Sequence, residues 1–112
     1  MLISINTPAG LMDVSNGRLR NIESHPDNTI TYHWFVSNPI NTYGVNLSIG
    51  DYAHFSEVFP GENGPLDCDY YVLRDHTDQA REHFRDVPRM LEAFEYWFGP
   101  YPFYQDGYKL IE

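Results

Sequence analysis

The sequence is poor in cysteine and in lysine. Cys68 is the only cysteine among 112 residues, so the chain can form no internal disulfide, and a zinc site built from several thiolates is excluded. Lys109 is the only lysine, and the 16 acidic residues outweigh the seven basic ones, which gives a net charge of −9. Because a negative field of this size repels phosphate backbones, we expect no binding to nucleic acid.

Long apolar runs are also missing. No apolar stretch approaches the roughly 20 residues that a membrane-spanning helix needs. We therefore expect a soluble chain with no signal peptide and no membrane span, while its cellular compartment stays open. The hydrophobic fraction of 42% and the aromatic fraction of 16% favour one folded globular unit. The aromatic side chains are more numerous than a small core easily buries, so some should lie on the surface, either scattered or at an interface.

Residues 2 to about 74 have the composition and alternation of β strands. The pattern predicts strands at 2–5, 11–15, 18–22, 29–36, 43–49, 52–58 and 69–74, with an exposed loop at 60–65. Asn16 and Gly17 predict a type I′ hairpin between the second and third strands, because both central positions of that turn need positive φ. One face is predicted to carry Ile30, Tyr32, Trp34 and Val36, and another Tyr43, Val45, Leu47 and Ile49. The closely spaced strands predict an antiparallel β sandwich or a curved sheet.

The pattern changes to a helical one near Asp75. Apolar residues then recur at steps of three and four positions: Ala80, Phe84, Val87, Leu91, Phe94 and Phe98. Because Pro88 cannot lie inside a helix, we predict two helical pieces at about 78–86 and 87–98, with Asp86 as N-cap and Gly99 as C-cap. A terminal strand begins at Tyr108 and has no later segment to pair with. The predicted class is α+β, mainly β with a C-terminal kinked helix and a terminal strand, divided into 1–76 and 77–112.

Residue types that carry chemistry do not form a recognised motif. His76, Glu82 and His83 lie close together, but there is no H-E-x-x-H, and a separation of seven does not suit two ligands on one helix face. Cys68 lies between Asp67 and Asp69, but no base residue stands at a spacing from it that is typical of a nucleophilic site. No serine lies in the G-x-S-x-G motif of serine hydrolases. We therefore predict no catalytic, substrate-binding or metal-binding residue in this chain.

Two further features have alternative interpretations. Glu92 and Glu95 could form a carboxylate pair, but with Arg89 nearby a solvated helix face with i,i+3 ion pairs is favoured. The segment Tyr96–Tyr104 could be a ligand platform. A packed helix-to-strand corner is favoured instead, because its prolines fix the backbone and its rings can fill the junction.

Several short motifs occur in an informative order. They are Pro8–Leu11 with Val14–Leu19, Asn38–Ile40 with Thr42–Tyr43, Ile49–Tyr52, Met90–Phe103 and Tyr108–Ile111. Together they resemble a segment of the zinc aminopeptidases related to aminopeptidase N, the gluzincin family. The resemblance implies that residues 1–76 are the distal part of an N-terminal β domain. It further implies that 77–112 are the first helix and strand of a truncated catalytic domain.

The resemblance also implies a function for a larger parent enzyme. Such a parent removes N-terminal amino acids from peptides, with zinc polarising the scissile carbonyl and a glutamate acting as general base. The family's zinc ligands and its Gly-x-Met-Glu-Asn-like motif would follow Glu112, so none is assigned to this sequence.

For the isolated chain we expect no activity and no cofactor of its own. The rest of the catalytic domain would be its partner, and its open strand edge and exposed apolar surface predict self-association. One alternative is an acidic β-rich protein-interaction domain without catalytic activity. Another is a degenerate small enzyme that uses Cys68.

Overall fold

The computed structural model describes all residues, Met1–Glu112. Its strands are β1 (Leu2–Pro8), β2 (Met12–Ser15), β3 (Arg18–Ser24), β4 (Thr29–Phe35), β5 (Leu47–Gly50), β6 (Tyr52–Gly61), β7 (Gly64–Leu73) and β8 (Tyr108–Ile111). The helices are α1 (Thr77–His83) and α2 (Val87–Phe98), with 3-10 turns at Thr42–Gly44, Arg74–His76 and Phe84–Asp86. This set of strands and helices confirms the predicted α+β class with a mainly β architecture.

The strands form three sheets around two hydrophobic cores. Their orders are β1-β4-β3, β2-β5 and β6-β7-β8, and every pair is antiparallel except β7 with β8. The first core consists of Ile3, Val14, Tyr32, Trp34, Val36, Tyr52 and Tyr71. The second core consists of Phe59, Leu66, Cys68, Tyr70, Val87 and Leu91. Residues on both sides of position 76 share the second core, and the domain boundary itself stays a prediction.

The face predicted for the fourth strand is confirmed. Tyr32, Trp34 and Val36 are 6%, 1% and 3% exposed, and Ile30 packs partly buried against the same core. Side chains of a strand alternate between its two faces, so the aromatic and branched residues at every second position point to one side. β4 is central in its sheet, and its inward face forms the middle of the first core.

The predicted hairpin at Asn16 and Gly17 is wrong. β2 pairs with β5 and β3 pairs with β4, so the two residues carry the chain between sheets. Gly17 has a positive φ of 78°, whereas Asn16 is not in that region. The Asn16 side chain instead donates to the carbonyl of Gly44 at 3.1 Å and accepts from the Asn46 backbone at 2.7 Å. These distant bonds outweigh the local preference of the dipeptide for a tight turn.

The strand predicted at 43–49 is present only at its end, in β5. The residues before it form the 3-10 turn Thr42–Gly44, and Tyr43 is 88% exposed. The Asn41 amide donates to the Tyr43 hydroxyl at 2.6 Å, and local side-chain bonds of this kind compete with strand pairing. Leu47 and Ile49 are half exposed rather than buried, because β5 pairs only with β2.

The predicted loop at 60–65 is wrong as well. β6 and β7 pair continuously up to Gly61 and Gly64, so only Glu62 and Asn63 remain as a two-residue turn. The terminal strand also has a partner that precedes it, because β8 pairs in parallel with β7. A parallel pair needs a long crossover connection, and α1 and α2 supply it.

The two helical pieces agree with their prediction, with one difference at the start of α2. Asp86 occupies the N-cap position but makes no capping hydrogen bond; its carboxylate lies 3.8 Å from Arg89 instead. Pro88 lies in the first turn, and the Gly99 N–H donates to the Glu95 carbonyl with φ of 87° at Gly99. Neither helix combines the length and apolar character needed to cross a bilayer.

Candidate functional site

An open apolar groove lies between the C-terminal half of α2 and the turn that follows it. It has a volume of about 580 Å³ and is lined chiefly by Phe59, Leu91, Phe94, Phe98, Tyr101 and Tyr108. We call this feature the aromatic groove. The Glu95 carboxylate, also part of the lining, accepts a hydrogen bond from the Glu62 backbone at 3.0 Å. The groove is therefore an apolar surface tied to the β6–β7 turn by a polar contact.

The aromatic groove exists because only half of the apolar face of α2 is covered. Val87 and Leu91 are 5% and 3% exposed in the second core, whereas Phe94 and Phe98, farther along the same face, are 49% and 82% exposed. Residues three and four apart lie on one side of a helix, so these four form a continuous stripe. Contiguous exposed apolar surface of this kind is typical of interaction sites.

The segment Tyr96–Tyr104 divides at Gly99. Before it, Tyr96 and Trp97 are 79% and 74% exposed. After it, the Tyr101 ring packs edge-on against Phe103 and Tyr108, with centroids 5.8 and 5.7 Å apart. The packed-corner interpretation therefore describes the residues after Gly99. The aromatic rings before Gly99, at the end of α2, are exposed to solvent.

A group of buried and half-buried polar side chains lies beside the first core. Asp13 is 0% exposed, and neither its carboxylate oxygens nor the Trp34 indole nitrogen has a hydrogen-bond partner of normal geometry. The Lys109 ammonium donates to the carbonyls of Ser15 and Gly17, both at 2.6 Å, and lies 4.1 Å from the centroid of the Trp34 ring. We call Asp13, Trp34 and Lys109 the buried charge cluster.

Burial shifts the pKa of both charged members of this cluster. It raises the pKa of Asp13 to about 6, while the Trp34 indole and the Lys109 charge act in the opposite direction. It lowers the pKa of Lys109 to about 8, opposed chiefly by the negative charge of Asp69. Asp13 is closed to solvent, so its carboxylate is not accessible from the surface. The three residues of the cluster lie on β2, β4 and β8. Their proximity is visible only in the three-dimensional structure.

The histidines and acids considered from sequence are dispersed over several contacts. His76 bonds the Glu112 carboxylate, and His76 and His83 line one shallow cavity that does not include Glu82. His54 instead pairs with Asp69 at 2.8 Å. The structure contains no group of three or more His, Cys, Asp or Glu residues that could hold a metal ion. That the chain has no functional site residue stays a prediction.

Cys68 and the glutamates of α2 have structural surroundings. Cys68 is 0% exposed, and burial, together with the charge of Glu57, raises its pKa to about 11. A thiol in this state is a poor nucleophile, because only the thiolate reacts. Glu92 is exposed and Glu95 points to the β6–β7 turn, so the arrangement does not favour a catalytic carboxylate pair.

Comparison with known proteins identifies the fold. No family model and no curated protein sequence matches the chain, but solved structures of M1 zinc metallopeptidases and aminopeptidases share its architecture. A two-domain M1 zinc metallopeptidase bound to L-tryptophan matches 98% of this chain with a TM-score of 0.81 and 17% identity. An M1 zinc metallopeptidase from Deinococcus radiodurans matches 98% with a TM-score of 0.77 and 16% identity. Aminopeptidase A from Legionella pneumophila, in complex with aspartic acid, matches 89% with a TM-score of 0.72 and 17% identity.

The match covers a small part of each of these proteins. It spans 25% of the first two chains and 12% of the Legionella enzyme. The chain therefore has the fold of a segment of M1 zinc metallopeptidases.

Proposed function

We propose that this chain forms part of a zinc aminopeptidase that removes N-terminal amino acids from peptides. In this proposal residues 1–76 belong to the N-terminal β domain, and 77–112 begin the catalytic domain. The observation that carries it is the fold match over 98% of the chain to an M1 zinc metallopeptidase, with a TM-score of 0.81. The ordered motifs from Pro8 to Ile111 support the same assignment independently.

The residues of this chain do not fit a zinc site. A protein zinc site needs at least three nitrogen, sulfur or oxygen ligands at one point, and no such group is assembled here. Zinc and the residues that act on the peptide would therefore be supplied by other parts of the parent enzyme. On its own the chain is inactive, and its contribution is architectural.

The aromatic groove is the surface through which we propose that the chain meets the rest of the catalytic domain. Its rings are about half exposed at Phe94 and mostly exposed at Phe98, and Tyr108 of β8 forms part of its wall. β8 also lies at the edge of its sheet, where its outer backbone groups can pair with another strand. A partner that adds a strand to β8 and apolar residues to the groove would satisfy both features.

The decisive experiment compares this chain with the longer polypeptide encoded by its gene. The reading frame after Glu112 should contain H-E-x-x-H, and a protein extended through it should bind zinc and hydrolyse aminoacyl fluorogenic substrates. The 112-residue chain should do neither, measured by metal analysis and the same assay. A frame without the motif, or hydrolysis by the short chain, would overturn the proposal.

A second candidate is an acidic β-rich protein-interaction domain without catalysis. It is favoured by the net charge of −9 together with the exposure of Tyr96 and Trp97. The same reading-frame test separates it from the first, because an interaction domain needs no zinc motif. Under either proposal we expect the isolated chain to self-associate, and strictly monomeric behaviour in light scattering at high concentration would count against this.

A further inference from the structure

Two Asn-Gly pairs in the sequence are chemically alike but differ in their surroundings. They are Asn16–Gly17 and Asn63–Gly64, and Asp106–Gly107 is a related Asp-Gly pair. In such a pair the backbone nitrogen of the glycine can attack the side-chain carbonyl carbon of the residue before it, because glycine has no Cβ to hinder the approach. The product is a succinimide ring. Whether the ring closes depends on whether that side chain is free to turn toward the nitrogen.

The Asn16 side chain is held at both ends of its amide. Its nitrogen donates to the Gly44 carbonyl at 3.1 Å, and its oxygen accepts from the Asn46 backbone at 2.7 Å. Gly17 also lies close to another backbone segment, because a Cβ built on it would be 2.6 Å from the Phe35 carbonyl carbon. Ring closure at Asn16 therefore requires two hydrogen bonds to break in a connection that has little room to rearrange.

The Asp106 side chain is held in a similar way. Its carboxylate accepts from the backbone N–H groups of Ser37 at 2.6 Å and Asn38 at 2.9 Å, and from the Asn38 amide at 2.7 Å. The Gly107 N–H, which would have to attack, donates to the Phe103 carbonyl at 3.1 Å. Both reacting groups are therefore engaged in other contacts.

Asn63 has no comparable contact. It is exposed in the two-residue turn between β6 and β7. Its side chain makes no hydrogen bond, and the bond that joins this turn to α2 comes from the Glu62 backbone N–H instead. A Cβ built on Gly64 would meet no atom within 4 Å. Gly61 and Gly64 form the last pair of the β6–β7 ladder, so only the end of the two strands has to open for the attack.

We propose that Asn63 is a site of spontaneous deamidation in this protein, and that the hydrogen bonds of Asn16 and Asp106 protect those residues from ring closure. The Gly64 nitrogen forms a bond to the Asn63 Cγ atom and loses its proton, while the side-chain amide nitrogen takes up a proton and leaves as ammonia. Water then adds to either ring carbonyl, which yields aspartate or isoaspartate. No oxidation or reduction is involved, and the inference does not rest on the proposed function.

The reaction also changes the contact between this turn and α2. Either product adds a negative charge next to Glu62, whose backbone N–H donates to the Glu95 carboxylate at 3.0 Å. Isoaspartate also inserts one carbon atom into the main chain of a turn whose ends are fixed by the pairing of Gly61 with Gly64. Repulsion between like charges and the altered turn both weaken the bond from Glu62 to Glu95. Deamidation therefore loosens the polar contact beside the aromatic groove.

Peptide mapping of aged protein tests the site directly. The folded chain is kept at physiological temperature in mildly alkaline buffer, digested with pepsin in acid to limit further reaction, and analysed by tandem mass spectrometry. Asn63 should be converted at least about tenfold faster than Asn16, since side-chain hydrogen bonds oppose ring closure only at Asn16. Isoaspartate should be among the products at Asn63. Equal rates at the two asparagines, faster conversion of Asn16, or no conversion of Asn63 would overturn the proposal.

The chain unfolded in guanidinium chloride is the matched control, because it keeps the sequence and removes the contacts. There Asn16 and Asn63 should react within about twofold of each other. Asp106 should isomerise about tenfold faster than in the folded protein, since its carboxylate is then released. A preference for Asn63 that persists in the unfolded chain, or an Asp106 rate that does not change on unfolding, would refute protection by the folded structure.

A variant of the folded protein isolates the chemistry. Asn63→Gln has a longer side chain that must close a larger ring, so conversion at this exposed position should fall at least about tenfold. In deamidated protein separated by ion exchange, the Glu62 amide should exchange with solvent about tenfold faster than in fresh protein, as measured by NMR. Conversion that is undiminished in Asn63→Gln would refute the succinimide route, and unchanged Glu62 exchange would refute the effect on the turn.

Discussion

The aromatic residues of the first core are covered by this chain, whereas those at the edge of the second core are largely exposed. In the first, Tyr32 and Trp34 are 6% and 1% exposed, enclosed by strands of this chain. Beside the second, Trp97 and Phe98 at the end of α2 are 74% and 82% exposed. Burial stabilises a fold only when the apolar surface is actually covered. The first core is therefore complete within the chain, whereas the second ends in a surface available to a partner.

The largest effect should come from Leu91, the last covered residue of the α2 stripe. Leu91→Ala removes a side chain that is 3% exposed, and the cavity should lower the free energy of unfolding by about 2–5 kcal/mol in urea denaturation. Phe98→Ala on the same stripe is the matched control. Since Phe98 is 82% exposed, its loss should change stability by less than about 0.5 kcal/mol. Equal losses would show that the stripe is covered throughout.

The connection between β2 and β3 tests how tightly the first core region is closed. A side chain on Gly17 would overlap the Phe35 carbonyl, whose carbon lies 2.6 Å from the new Cβ, at a φ of 78°. We expect Gly17→Ala to lower the free energy of unfolding by about 2–4 kcal/mol, from backbone strain and the overlap together. Gly10→Ala, with φ of 95° and no atom within 4 Å, should lose only about 1–2 kcal/mol from strain. Similar losses for the two variants would refute the close approach.

The same connection shows where sequence reasoning succeeds and fails. The alternation of β4 and the period of α2 are local patterns, and each predicts its element and inward face. The Asn16–Gly17 signal is also local, but the bonds of Asn16 go to residues 28 and 30 positions away. No spacing in the sequence indicates that partner, so a tight hairpin was the local expectation.

The candidate sites show the same limit. The sequence shows that aromatic residues are concentrated after Ala93. Which of their rings are buried depends on where β6 and β7 end beside α2, and the sequence does not indicate this. Asp13 lies in a predicted strand, where a charged residue usually marks the solvent face. Only the pairing of β2 with β5, and the return of β8 beneath Trp34, reveal that its carboxylate is buried.

The buried carboxylate gives the first core a pH dependence in the acidic range. Because burial raises the pKa of Asp13 from 3.8 to about 6, the folded state holds its proton more tightly than the unfolded state. The resulting stability is fully present below about pH 4 and is lost as pH rises through about 6, a change of about 2–3 kcal/mol. Wild type minus Asp13→Asn isolates this contribution in urea denaturation, and a difference that does not vary with pH would contradict it.

The smallest effect on stability should come from the exposed end of α2, where the effect on association should be clear. Trp97→Ser with Phe98→Ser should change the free energy of unfolding by less than about 0.5 kcal/mol, since both rings are mostly exposed. Removing them should nevertheless weaken self-association in light scattering, because apolar contacts drive it. Tyr43→Ser is the matched control, because Tyr43 is 88% exposed but lies outside α2, in the 3-10 turn Thr42–Gly44. If it weakened association equally, the effect would belong to exposed rings in general, and the second core would not be distinguished by its open surface.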